Sequence, residues 1–145
     1  MRRLLFTLPL LVACAGSDTP PADSAAPAMA MISEADVAGT WTGTATMEGS
    51  DSVVLHWTQV CNGGTCRGTS QEQPGDTVVA TYTIAGDSAV GVSAPYVDKS
   101  MGGITVIDNW VSRPSGSQVT GYGWAKLADK DSVVARYRFT GTRTP

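Results

Sequence analysis

A two-residue alternation of apolar and polar positions runs through the chain from Gly39 onward. Trp41, Gly43, Ala45 and Met47 fall on one side of an extended segment, and Thr40, Thr42, Thr44 and Thr46 on the other. Val53, Leu55 and Trp57 oppose Val54, His56 and Thr58. Ile104, Val106, Asp108 and Trp110 share a face, and Val133, Ala135, Tyr137 and Phe139 alternate with Arg136 and Arg138. No apolar period of 3.6 residues competes with this pattern. Strands are expected near 40–48, 52–60, 65–71, 77–84, 88–94, 103–112, 117–127 and 132–141. Eight strands at that spacing predict an all-β domain, a single antiparallel eight-stranded up-and-down barrel, with a β-sandwich as the alternative. The segment from Ala94 to Gly103 lacks alternation. It reads as the longest irregular loop and the natural place for recognition on a rigid scaffold.

A phrase that occurs four times punctuates the pattern: Asp51-Ser52-Val53-Val54, Asp76-Thr77-Val78-Val79, Asp87-Ser88-Ala89-Val90 and Asp131-Ser132-Val133-Val134. Asp followed by a hydroxyl residue bonds its own backbone and makes a turn. The apolar pair behind it, mostly Val, favours an extended chain. The copies begin the second, fourth, fifth and eighth predicted strands. In a meander, three of them share one rim and the fifth strand starts at the other.

Ahead of the strands, Ser33-Glu34-Ala35-Asp36-Val37-Ala38-Gly39 predicts one helical turn, capped by Ser33 and ended by Gly39, suited to closing one end of a barrel. From Ala15 to about Ile32 the chain is mostly Ala, Ser, Pro, Asp and Gly and reads as a disordered tether, spanning roughly 25 Å as a flexible coil. Met1-Arg2-Arg3 followed by an apolar run forms an export signal too short to cross a bilayer as a helix. Leu11-Val12-Ala13-Cys14 resembles the lipobox of bacterial lipoproteins. That resemblance implies cleavage before Cys14, lipidation of Cys14 and a membrane anchor in the cell envelope. Ala15 behind it, rather than Asp, implies sorting to the outer membrane by the enteric rule. The expected organisation is a signal peptide at 1–13, a lipidated Cys and tether at 14–32, and a β-domain at 33–145.

Composition narrows the chemistry. Gly contributes 16 residues, which suits tight turns better than helices, and charged residues make up 16%. Without Arg2 and Arg3, 8 basic and 13 acidic side chains remain, a mildly acidic balance that argues against nucleic acid as a partner. The chain holds one His, His56, which leaves little room for His-dependent catalysis or a multi-His metal site. His56 lies between Leu55 and Trp57 and reads as a strand residue on a polar face, with general-base chemistry as the alternative. No Gly-x-Ser-x-Gly nucleophile elbow occurs. Asp129-Lys130-Asp131 lacks the ligand series of a Ca²⁺ loop. No enzyme activity, cofactor or metal is expected. Once Cys14 is lipidated, Cys61 and Cys66 remain, separated by the turn sequence Asn62-Gly63-Gly64-Thr65. In an exported protein they predict a disulfide across a hairpin tip.

The aromatics carry the best signal for binding. Trp41, Trp57, Trp110 and Trp124 lie on four different predicted strands, joined by Tyr82, Tyr96 and Tyr122. In a small barrel such rings either fill the interior or line a cavity at its mouth. The candidate ligand contacts are Trp57, Trp110, Trp124, Tyr82, Tyr96 and Asp108. Asp108 belongs with them if its face is interior, where an unpaired carboxylate needs an Arg or a polar ligand. Whether that face points in or out is open at this point.

Gly39-Thr40-Trp41 at the start of the first strand resembles the Gly-x-Trp signature of lipocalins and the wider calycin group. The resemblance implies a barrel whose Trp is covered by an Arg near the end of the last strand, here Arg138 or Arg143. Trp41 and Arg138 are accordingly the expected barrel-closing pair. The lipocalin Thr-Asp-Tyr motif is absent. The barrel is also similar to avidins, which likewise use Trp to enclose a small ligand. Two functions follow. One is an envelope-anchored, monomeric lipoprotein that binds a small apolar ligand. The other is a protein-interaction or structural envelope protein with a filled core, for example an inhibitor of a basic enzyme. A cavity of several hundred Å³ lined by Trp57, Trp110 or Trp124 would favour the first.

Overall fold

A computed structural model of the chain describes residues 31–145; the expected signal peptide, Cys14 and nearly all of the expected tether lie outside the described residues. One helical turn, α1 (Glu34–Val37), precedes nine strands: β1 (Gly39–Met47), β2 (Val53–Asn62), β3 (Thr65–Ser70), β4 (Val78–Ala85), β5 (Ser88–Ser93), β6 (Tyr96–Asp98), β7 (Ile104–Ser115), β8 (Gln118–Leu127) and β9 (Val133–Thr144). Strands β1 to β5 pair consecutively, β7 to β9 do the same, β9 returns to β1, and β5 pairs with β7. Every pairing is antiparallel. The result is a closed eight-stranded up-and-down barrel with β6 as an extra strand. Closure satisfies the backbone edges that an open sheet would expose.

The expected loop between Ala94 and Gly103 is corrected in part. It contains β6, whose Tyr96, Val97 and Asp98 pair with Val106, Thr105 and Ile104. β5 uses the adjoining stretch of β7, from Asn109 to Ser112. β5 and β6 thus run in succession along one edge of β7. Pro95 lies between them and has no N–H to donate, which explains the interruption. At the gap the Asp108 amide donates to the Ser93 side-chain Oγ (2.9 Å) instead of to a backbone carbonyl of the neighbouring strand.

The expected strand faces are observed along the middle of the strands, but register shifts at the starts of β2 and β9 put Val54 and Val134, rather than Val53 and Val133, on the cavity side. On β1, Trp41 and Ala45 are buried; on β9, Ala135 is buried and Tyr137 and Phe139 are partly buried between exposed arginines. The face of Asp108 points inward, since Val106 beside it is fully buried. Three copies of the Asp phrase, at Asp51, Asp76 and Asp131, precede β2, β4 and β9 at one rim. Asp87 stands at the other, before β5.

α1 closes the Asp87 end. Asp36 accepts from the Ser33 N–H (2.8 Å) and Ser33 Oγ (2.7 Å), and these bonds hold its carboxyl below the usual range. Glu34 accepts from the Gly63 amide at the β2–β3 hairpin tip (2.9 Å) and from the Tyr82 hydroxyl on β4. Trp41 Nε1 donates to Val37 O (2.8 Å), while Arg143 Nη2 reaches the carbonyls of Ala35 and Asp36. Val37 then packs with the Cys61–Cys66 disulfide, Tyr82 and Ala89 in a buried cluster. Cys61 and Cys66 face each other across the hairpin, where Gly63 and Gly64 both take positive φ (58° and 77°) as a two-residue turn of this hand requires.

Candidate functional site

Glycines shape the barrel wall from within. A Cβ added to Gly43 or Gly141 would lie 2.6 Å from the Trp57 ring; these two glycines are partners across β1 and β9. One added to Gly121 would lie 2.2 Å from Phe139, and one added to Gly123 2.4 Å from Tyr137. Each of these rings therefore packs into the space over a neighbouring strand's glycine, where a side chain would otherwise stand. The centre stays open as a cavity of about 580 Å³, and the rings of Trp57, Trp110, Tyr96, Tyr137 and Phe139 line it. Trp57 and Phe139 meet edge to face, with ring centroids 5.9 Å apart. The lining runs from Val37 at the α1 end to Met47, Asp76, Ser100 and Met101 at the opposite rim.

That rim is held by the segment containing β6. Gln73, in the β3–β4 connection, donates from Nε2 to Asp98 Oδ1 (3.1 Å) and accepts from the Lys99 amide (3.2 Å). Lys99 Nζ lies 2.7 Å from Asp76 Oδ2. Asp98 is buried, and its Oδ1 also accepts from the Ser100 hydroxyl (2.6 Å) and the Ser100 and Met101 amides. Deeper in, the Tyr96 hydroxyl donates to Asp108 Oδ2 (2.6 Å). Burial pushes the Asp108 carboxyl above its usual range, against the Tyr96 bond, which lowers it; the nearby Asp98 charge adds to the rise. The Tyr96 and Tyr137 phenols are both raised, mainly by burial and then by the Asp108 charge. Among the described residues, three carboxylates and no Lys, Arg or His line the cavity.

Of the candidate set, the structure brings Trp57, Trp110, Tyr96 and Asp108 together around the cavity. Trp124 and Tyr82 are corrections. Trp124 alternates with the buried Gly123 and Ala125, so it points to the outer face, where it stacks on Tyr122 (centroids 6.2 Å apart). Tyr82 is buried under α1, outside the cavity; burial, the Glu34 bond and its charge push its phenol up to about 12. The closing arginine is Arg143, not Arg138. Arg143 stands opposite Trp41 in the β1–β9 register, with its guanidinium 4.7 Å from the indole centroid. Arg138 stands opposite Thr46 on the outward phase of β9 and is exposed. Its own alternation with Tyr137 and Phe139 already puts it outside, whereas Arg143 shares their phase.

Tyr137, Phe139 and Asp98 are cavity residues that the candidate set omits. The inward phase of β9 was the available signal for the first two. Tyr96-Val97-Asp98 is a three-residue alternation too short to stand out beside Pro95. His56 lies on the outer face, its Nδ1 2.8 Å from Glu72 Oε1, a bond that holds the Glu72 carboxyl low. Among the described residues, no group of three or more His, Cys, Asp or Glu is placed to hold a metal ion. Comparison with family models, with characterised proteins and with solved structures returns no significant match.

Proposed function

We propose that the chain is an envelope-anchored binding protein that holds a small molecule with an apolar, ring-sized body inside its barrel. The observation that carries this reading is the cavity of about 580 Å³ walled by Trp57, Trp110 and Phe139. Its volume falls in the range of small-molecule sites, which are mostly apolar with a few converging polar groups. The competing reading, an interaction protein with a filled core, expects a packed centre; here the rings pack over neighbouring glycines and the centre stays open. The lipobox-like Leu11-Val12-Ala13-Cys14 supports anchoring through a lipidated Cys14.

Native mass spectrometry of delipidated protein purified from its own host tests the binding reading. A bound small molecule, lost on denaturation, is expected. A protein that purifies empty and takes up no apolar probe would overturn it. Separately, Cys14→Ser is expected to release the protein from membranes, and retention there would refute the anchor.

A further inference from the structure

The polar groups of the cavity select its ligand by charge, an inference that rests on the ligand-binding reading above. We propose that the ligand is an organic cation: a protonated amine on an apolar, ring-sized body, its ammonium held at Asp108 and its body among the aromatic rings.

Four observations converge. First, among the described residues the charged ones lining the cavity are Asp76, Asp98 and Asp108, all acidic. A fatty acid or other anion would meet no counter-charge there and would be repelled. Second, two of the three carboxylates are already engaged. Asp76 Oδ2 has the Lys99 ammonium 2.7 Å away as a counter-charge, although without an aligned hydrogen bond, and Asp98 Oδ1 accepts four hydrogen bonds at the rim. Asp108 has the least: a single hydrogen bond, from Tyr96 to Oδ2, and no cation or second donor among the described residues. Asp108 is half-buried and short of donors, and an ammonium group would supply both a second donor and the missing charge.

Third, Tyr137 lies close enough to Asp108 for the carboxylate charge to act on it, and its hydroxyl has no partner among the described residues. Its oxygen is therefore free to accept a second N–H from the same ammonium. Fourth, the walls are the rings of Trp57, Trp110, Tyr96 and Tyr137, and aromatic faces attract cations once water is excluded. The buried Trp57 Nε1 has no partner either, but it has no surface open to the lumen and so does not ask for an acceptor on the ligand.

The test compares three probes that share one ring system: 1-naphthylmethylamine, 1-naphthylmethanol and 1-naphthoate, titrated calorimetrically into the folded domain at pH 7. A fourth, the neutral dye N-phenyl-1-naphthylamine, reports by fluorescence whether the cavity accepts an apolar molecule at all. The amine is expected to bind roughly tenfold to hundredfold more tightly than the alcohol, as a charge-assisted hydrogen bond would give, and the carboxylate weakest. Asp108→Asn should erase the preference for the amine while keeping uptake of the dye. Tyr137→Phe, which keeps the ring, should reduce it in part. If the dye binds while the alcohol or the carboxylate equals the amine, the cation assignment fails and the binding reading stands. If none of the four binds, both fail. The wild-type ranking decides the matter even if Asp108→Asn does not fold.

Discussion

Trp110 lies over Gly91, its register partner on β5: a Cβ at Gly91 would stand 2.1 Å from indole Cζ2. The contact is with a side chain, and the ring has the barrel wall behind it, so any substituent must drive the indole into the lumen. Gly91→Val is expected to cost about 1–3 kcal/mol in urea denaturation, as overpacking does, and to weaken uptake of a neutral apolar dye. Unchanged stability and dye binding would mean that Trp110 does not rest on Gly91.

Arg143 and Arg138 differ only in the phase of β9 they occupy, and the difference should be measurable. Arg143→Ala removes the cation–π contact with Trp41 and the bonds to the carbonyls of Ala35 and Asp36. The expected loss is about 1–3 kcal/mol, with faster amide exchange in α1. Arg138→Ala, on the exposed face, should stay within about 0.5 kcal/mol of wild type. Equal effects would contradict the assignment of the closing pair.

Asp108 should make stability depend on pH with a definite sign. Its native carboxyl binds protons to higher pH than the ordinary value of 3.8, because burial disfavours the charge. Between that value and the raised native one, the folded state holds more protons than the unfolded state. Stability is therefore lost as pH rises through the window. Asp108→Asn keeps an acceptor for Tyr96 and stays neutral. It should match wild type in Tm at pH 3 and exceed it at pH 7. A variant less stable than wild type at pH 7 would show that the ionised carboxylate is well satisfied in the empty cavity.

The disulfide links residues already paired across a hairpin, with Cα atoms 4.1 Å apart, and closes a short loop. The double substitution Cys61→Ala, Cys66→Ala should cost about 2 kcal/mol by the chain-entropy argument and leave the barrel folded. Collapse of the near-ultraviolet circular dichroism at room temperature would mean that the closed end depends on the bond.

Much of this molecule is legible in its residues one segment at a time. Alternation along 40–48 and 135–141 separates inward from outward side chains because successive Cβ atoms of a strand point to opposite faces. Asn62-Gly63-Gly64-Thr65 dictates a hairpin and so the pairing of Cys61 with Cys66, since few residues other than Gly take consecutive positive φ without strain. What alternation cannot say is which residue on a neighbouring strand lies beside a given one. Alternation alone puts Arg138 outside, but that Arg143 stands beside Trp41 follows from the β1–β9 register, a pairing of residues about a hundred positions apart. The same holds for the interior. Trp57, Trp110, Tyr137 and Phe139 could have filled the barrel; their placement over Gly43, Gly141, Gly91, Gly123 and Gly121 on neighbouring strands leaves it hollow. Strand phase is local and written in the chain, whereas the open cavity and the donor-poor Asp108 within it exist only once closure brings distant strands into register.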